Sequence, residues 1–207
     1  MTSTAAERAG SSLVALLMLV VLGCAGAPAS PDARKAPATI DVTSAMGSPH
    51  PGDAAPDFTL TDQHGAAASL SSLRGNVVVV SFVASWCPYS TAEQPHLAAL
   101  PAAYQGKPVR FVVIDVQEDT AGYRKYLERV AMPMAVVHDA DGKVTESFVA
   151  PGAQPNVKRR AEVPIAGHVV IDAGGIIRAI HMANLNRFDA ELTITRATID
   201  GVLAEGS

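Results

Sequence analysis

The chain has 207 residues, of which 48% are hydrophobic and 17% charged, with a formal charge of -4. That length suits one domain plus flanking material. The composition supports a folded core rather than wholesale disorder, and mild acidity without a basic block removes the main reason to expect a nucleic-acid partner. Two cysteines exclude a disulfide scaffold and a four-cysteine zinc site.

Arg8 precedes an uninterrupted apolar run over residues 13–22. A helix of that length spans about half of a hydrocarbon core, which needs roughly 20 residues, so a spanning anchor is not expected. The run suits the apolar region of a signal peptide, about 7–15 residues long. A buried helix would be as apolar, yet the run leads into Gly23-Cys24-Ala25-Gly26 and a proline- and alanine-rich tract, not a second packing element. Val21-Leu22-Gly23-Cys24 resembles a bacterial lipobox, in which cleavage precedes a cysteine that becomes lipid-modified. The resemblance implies a signal peptide at 1–23, lipidation of Cys24, and membrane contact by a lipid anchor. With one arginine ahead of the run, a plain secreted protein remains the alternative. Ala25 resembles the outer-membrane sorting residue of Gram-negative lipoproteins, which would place the chain on the periplasmic face. Residues 24–52 read as a flexible tether and 53–207 as the folded domain.

Within that domain, residues 57–61 alternate as a short strand entering a turn, and 69–73 suggest one helical turn. Residues 77–83, almost wholly branched or aromatic, predict a strand buried on both faces. Pro88 opens a predicted helix that runs to about residue 100 or 104. Residues 109–115 form a second strand, 119–130 a helix and 134–138 a third strand. A turn at 139–142 leads into 144–148, and the poorly patterned 150–162 carries Lys158-Arg159-Arg160, read as a solvated loop cluster rather than a phosphate site. Residues 168–172 and 176–182 make a hairpin, and Asp189 begins a last helix. This order predicts an α/β fold with a central mixed sheet covered on both faces.

If Cys24 carries lipid, Cys87 is the remaining thiol. It stands just after the 77–83 strand, where a helix start offers unpaired N–H groups and a positive dipole end that favour a reactive thiolate. The end of a sheet strand is also where open α/β sheets place their clefts. An inert buried cysteine is the bland alternative.

The segment Ala84-Ser85-Trp86-Cys87, followed by Ala92-Glu93-Gln94-Pro95, resembles the active-site region of thioredoxin-like proteins of the TlpA/ResA kind. Asp57-Phe58-Thr59-Leu60, residues 70–75, and the two Asp-x-x-Gly turns within 137–143 and 169–178 are similar to AhpC/TSA (redoxin, peroxiredoxin-like) domains. The resemblance implies a thioredoxin-like fold with an extra N-terminal hairpin and a thiol oxidoreductase or peroxiredoxin-like enzyme. It implies no cofactor and no resident metal. Partners would be protein or small-molecule thiols, disulfides or peroxide, with an external reductant. Cys87 takes the place of the nucleophile in Cys-x-x-Cys, and Ser90 stands where the resolving cysteine would be. Ser90 is a candidate hydrogen-bond partner of the thiolate, Trp86 a shield of the sulfur and Tyr89 a border of the substrate surface.

Peroxiredoxin landmarks are missing: Ala84 replaces the hydroxyl three residues before the cysteine, Val80 the proline seven before it, and Ala166 the late arginine. An antioxidant one-cysteine peroxidase therefore stands as the alternative to thiol-disulfide exchange, beside a non-catalytic peptide-binding module. Pro164 is the candidate for the cis-proline facing the cysteine, two positions off the usual spacing. His168 is a candidate ion-pair or proton-relay partner of Cys87, or else a strand-end histidine bonded to backbone. Glu93 and His96 are expected as solvated helix residues, with modulation of the thiol by Glu93 as the alternative. Metal binding by Cys87 with His168 or His181 is a residual idea.

Overall fold

The computed structural model describes residues 49–116, 118–148, 167–181 and 188–206. Cys24, Lys158–Arg160, Pro164 and Ala166 lie outside the described residues, as does the whole of the 1–23 segment. Gly52 N–H donates to the Ile177 carbonyl and joins the first described residues to the sheet.

The sheet has five strands. Strand β3 (Val77–Val83) lies at its centre, flanked in parallel by β4 (Val109–Val116), which in turn pairs in parallel with β5 (Ala135–Asp139). On the other side β6 (His168–Ile171) pairs antiparallel with β3, and β7 (Ile177–His181) antiparallel with β6. All seven residues of β3 are buried, as its unbroken apolar sequence requires of a strand covered on both faces. A small hairpin of β1 (Thr59–Thr61) and β2 (Ala67–Ser69) precedes the sheet. Gln63 in its turn clasps the edge strand: its side-chain amide donates to the Met134 carbonyl and accepts from Val136 N–H. That satisfies backbone groups an edge would otherwise leave open.

The two sides of the sheet bury different partners. Val78, Val80 and Phe82 join Phe58, Leu70 and Phe148 in one cluster, beneath the hairpin and the short α3 (Lys143–Ser147). Val77, Val79 and Val83 join Leu97 and Leu100 of α1 (Pro88–Ala103), Tyr123 and Tyr126 of α2 (Thr120–Arg129), and Ile199 and Val202 of α4 (Thr193–Glu205). This is a thioredoxin-like α/β fold with a mixed sheet and an added N-terminal hairpin.

One segment without an expected form takes a shape, and one expectation changes. Residues 143–147 coil into α3, because Asp139 accepts from Val144 and Thr145 N–H and from the Thr145 hydroxyl, capping a helix across the turn. The last helix begins at Thr193 rather than Asp189. Leu192 has a left-handed backbone (φ 57) that breaks the run, and the Asp189 carboxylate reaches forward to Thr193 and Ile194 N–H. Asp189 thus serves as the cap without being the first turn.

Candidate active site

The chain leaves the C-terminal end of β3 through Ala84, Ser85 and Trp86 and enters α1 with Cys87 as the N-cap and Pro88 in the first turn. Cys87 has an extended backbone (φ -86, ψ 119), and its carbonyl accepts from the Thr91 N–H and hydroxyl. Pro88 fits there because its missing N–H falls among the donors a helix start leaves unpaired anyway. Cys87 is only 8% exposed, so a partner reaches the sulfur through a narrow opening.

The loop before the cysteine is held from three sides. Ala84 N–H donates to the Ser90 hydroxyl (3.3 Å), Ser85 N–H to the Glu118 carboxylate (2.5 Å), and Cys87 N–H to the Ala84 carbonyl (3.0 Å). Ser90, where a second thiol would be expected, is buried and braces the loop against the first turn of α1. Its own O–H proton is left to donate elsewhere. Glu118 lies between β4 and α2, is buried, and offers its backbone carbonyl to His138 Nε2 (2.8 Å). His138 stacks on Tyr123 with ring centroids 4.5 Å apart, and the Tyr123 hydroxyl donates to the Val136 carbonyl. Burial, with nearby Asp115 adding to it, pushes the Tyr123 phenol up to about 12, so it stays a donor. Nothing in the sequence pattern singled out Glu118; it follows a strand and precedes a helix, a position where a carboxylate is ordinarily a solvated cap.

Trp86 and Tyr89 pack against the cluster that contains Cys87, and Trp86 Nε1 is buried without a hydrogen-bond partner among the described residues. Tyr89 meets Phe188 edge-on at 4.9 Å, joining the start of α1 to the approach to α4.

On the helix-covered side of the sheet lies a buried polar group. Glu93, expected in solvent, is 5% exposed. It shares the inner face of α1 with Ser90, Leu97 and Leu100, whose spacing of three or four residues forces all four against the sheet. That periodicity was the available signal. His96, off the stripe, is half-buried. His168 is 3% exposed, and it bonds to side chains rather than to backbone: Nδ1 is 2.9 Å from the Ser81 hydroxyl and Nε2 is 3.3 Å from Glu93 Oε2. The second contact is within ion-pair reach, although the ring N–H is not aimed well enough to make a hydrogen bond. Burial, and secondarily His168, holds the imidazole of His181, its register partner on β7, below the ordinary value of 6.5.

A central strand that delivers one cysteine to a helix N-terminus in a braced loop, with a buried acid–imidazole pair on the helix-covered side of the sheet, defines the thiol-bearing class of thioredoxin-like domains. Residues 51–180 match the AhpC/TSA family model, and the chain belongs to that family. Among individual proteins it is similar to the thiol-disulfide oxidoreductase ResA of Geobacillus kaustophilus, 28% identical over 140 residues, covering 68% of this chain and 74% of that protein. ResA of Geobacillus thermodenitrificans is 30% identical over 97 residues, covering 47% of this chain and 56% of that one. A Chlorobium tepidum structure provisionally described as the thiol:disulfide interchange protein DsbE superposes with a TM-score of 0.59 at 25% identity, covering 75% of this chain and 99% of that one.

Proposed function

We propose that the protein is an extracytoplasmic thiol-disulfide oxidoreductase that works with a single nucleophile, Cys87, in a Cys-x-x-Ser motif. The observation that carries this reading is the placement of Cys87 at the end of the central strand and as N-cap of α1, in a loop whose Ala84, Ser85 and Cys87 N–H groups are already bonded within the protein. The Cys87 thiolate attacks one sulfur of a substrate disulfide. A mixed disulfide forms, the substrate S–S bond breaks, and the other sulfur leaves as thiolate. With Ser90 in place of a resolving thiol, a second thiol from solution attacks the mixed disulfide and returns Cys87. The ResA and DsbE relatives support this chemistry by their names. Trp86 shields the sulfur, and Pro164 is the residue we assign to the family's cis-proline position. The leader places the domain outside the cytoplasm: residues 1–23 are removed, Cys24 is lipidated, and the following tract tethers the domain to the membrane surface.

A peroxidase needs donors aimed at the developing oxyanion. Here the loop N–H groups are taken and a carboxylate, Glu118, stands among them, which favours disulfide over peroxide as substrate. The test measures, with wild type and Cys87→Ala, both the exchange of a small model disulfide in excess dithiol and the consumption of hydrogen peroxide. Exchange should fall at least about 100-fold in the variant while peroxide consumption stays within about twofold. Equal exchange by the two proteins ends the oxidoreductase reading. Cys87-dependent peroxide turnover faster than exchange puts the antioxidant reading in its place.

A further inference from the structure

We propose that the groove at the amino-terminal ends of β4 and β5 is a binding site for a small amphipathic carboxylate, an apolar or aromatic body whose one anionic group is held by Arg110. The site is separate from Cys87, which stands beyond the carboxyl end of β3. The groove exists because neighbouring strands begin at different levels. Strand β4 pairs with β3 from Val109 onward, but with β5 only from Val112 onward. Residues 109–111 therefore have a strand on one side. On the other lies a cavity of about 520 Å³, bounded by the β1–β2 hairpin, the end of α1 and the start of β5. That volume suits a small ligand. Leu73, Tyr104, Phe111 and Met134 give it apolar walls, with the rings of Tyr104 and Phe111 5.9 Å apart. The Tyr104 hydroxyl donates to the Arg196 carbonyl, and burial, with Asp200 adding to it, pushes the phenol up to about 12, so the ring stays a neutral wall.

Among the described residues that line the groove, the charged ones are Lys107 and Arg110; both are cations, and no carboxylate is among them. Lys107 is already engaged: its ammonium lies 5.1 Å over the Tyr104 ring and 3.9 Å from Asp200. Arg110 Nη1 donates to the Val109 carbonyl at 2.9 Å, which fixes the guanidinium at the edge of the groove, and no carboxylate pairs with it among the described residues. Its remaining N–H groups keep the planar fork that takes a carboxylate. The same bonds argue against an extended chain as the occupant. The Pro108 carbonyl accepts from Val77 N–H, so the alternation of a strand turns the N–H and C=O of Val109 away from β3. Both are used locally, the N–H by the Lys107 carbonyl at 2.8 Å and the C=O by Arg110. Strand addition lives on such free backbone groups, whereas a small anion needs only the guanidinium and the apolar walls.

The experiment titrates the full chain at neutral pH with phenylpropionate and, separately, with its uncharged amide, by calorimetry and by backbone amide NMR shifts, in wild type, Arg110→Gln and Cys87→Ala. Phenylpropionate should bind wild type saturably, with a Kd of about 1 mM or tighter, and should shift the amides of residues 109–112 and 134–135. The uncharged amide should bind at least about threefold more weakly. Arg110→Gln should erase that preference, bringing the two probes to within about twofold of each other. Arg110 is exposed, so its replacement leaves the fold intact. The proposal is overturned by a Kd weaker than about 10 mM, by shifts confined to other parts of the protein, by a preference for the acid below about threefold, or by a preference that survives in Arg110→Gln. A concentration-dependent dimer that excludes the probe overturns it as well, and gives the groove to a second copy of the chain. Cys87→Ala should bind the probe as wild type does, so this site and the oxidoreductase reading fail independently.

Discussion

The two faces of β3 carry the same kind of sequence and do different work. Val78, Val80 and Phe82 face a cluster made almost wholly of aliphatic and aromatic side chains, with Phe82 and Phe148 in contact at 5.4 Å and Phe58 against Phe148 at 6.4 Å. Val77, Val79 and Val83 face the helices, and one residue among them, Ser81, breaks the apolar run to hold His168. Polar groups in a core cost stability unless every one is matched. The two sides thus differ in chemistry: apolar packing around Phe82, into which Cys87 itself is set, and on the helix-covered side a buried trio of Ser81, His168 and Glu93.

The widest test separates the chemistry of the thiol from the packing of the cluster in which it sits. Cys87→Ala should abolish disulfide exchange, a loss of at least about 100-fold, and lower unfolding free energy by only about 1 kcal/mol, the size common for a conservative truncation. Phe82→Ala should do the reverse. Truncating a fully buried aromatic costs about 3–5 kcal/mol, measurable by denaturant unfolding, while the folded fraction keeps its alkylation rate. A Phe82→Ala protein that stays folded but loses Cys87 reactivity more than about threefold would show that the thiol depends on the packing of that cluster.

A smaller effect tests the brace at the loop. Gly122 lies in the first turn of α2, and a Cβ placed on it collides with the Glu118 carboxylate that receives Ser85 N–H. Gly→Ala inside a helix ordinarily gains up to about 1 kcal/mol. Here it displaces Glu118, so Gly122→Ala should slow Cys87 alkylation about two- to fivefold with stability changed by no more than about 1 kcal/mol. Glu118→Gln, which keeps an acceptor for Ser85, should alkylate close to the wild-type rate. If Gly122→Ala leaves alkylation untouched, the loop does not need the brace.

These residues also mark how far the sequence could be read. The strands, the hairpin β6–β7, the helix opening at Pro88 and the lone cysteine at its start all follow from local patterns: branched apolar runs, a glycine-rich turn, a proline at a helix entry. Leu192 defeated the start of the last helix because no composition rule announces a left-handed leucine. The polar group on the helix-covered face was hidden for a different reason. Ser81 and His168 stand 87 positions apart and meet only because β6 pairs with β3 in one register. Glu93 was legible by its spacing with Leu97 and Leu100, yet a charged residue within a helix reads first as solvated. Glu118 met Ser85 across 33 positions, again through parallel pairing rather than local pattern.

The least effect expected belongs to His181, and it tests whether the polar face is tuned or merely tolerated. Burial first, and His168 second, hold its imidazole below 6.5 in the folded protein. In the unfolded chain it titrates near that ordinary value. As pH falls below about 6.5, the unfolded state therefore takes up a proton that the native state refuses. Stability contributed by neutral His181 is fully present above that pH and is lost progressively as pH drops toward the lower native value. Unfolding free energy measured from pH 8 to pH 5 should decline over the acid half of that range, and His181→Asn should flatten part of the decline. An unchanged slope in the variant would mean that His181 titrates alike in both states, and the helix-covered face of the sheet would then take up that proton at no cost to the fold.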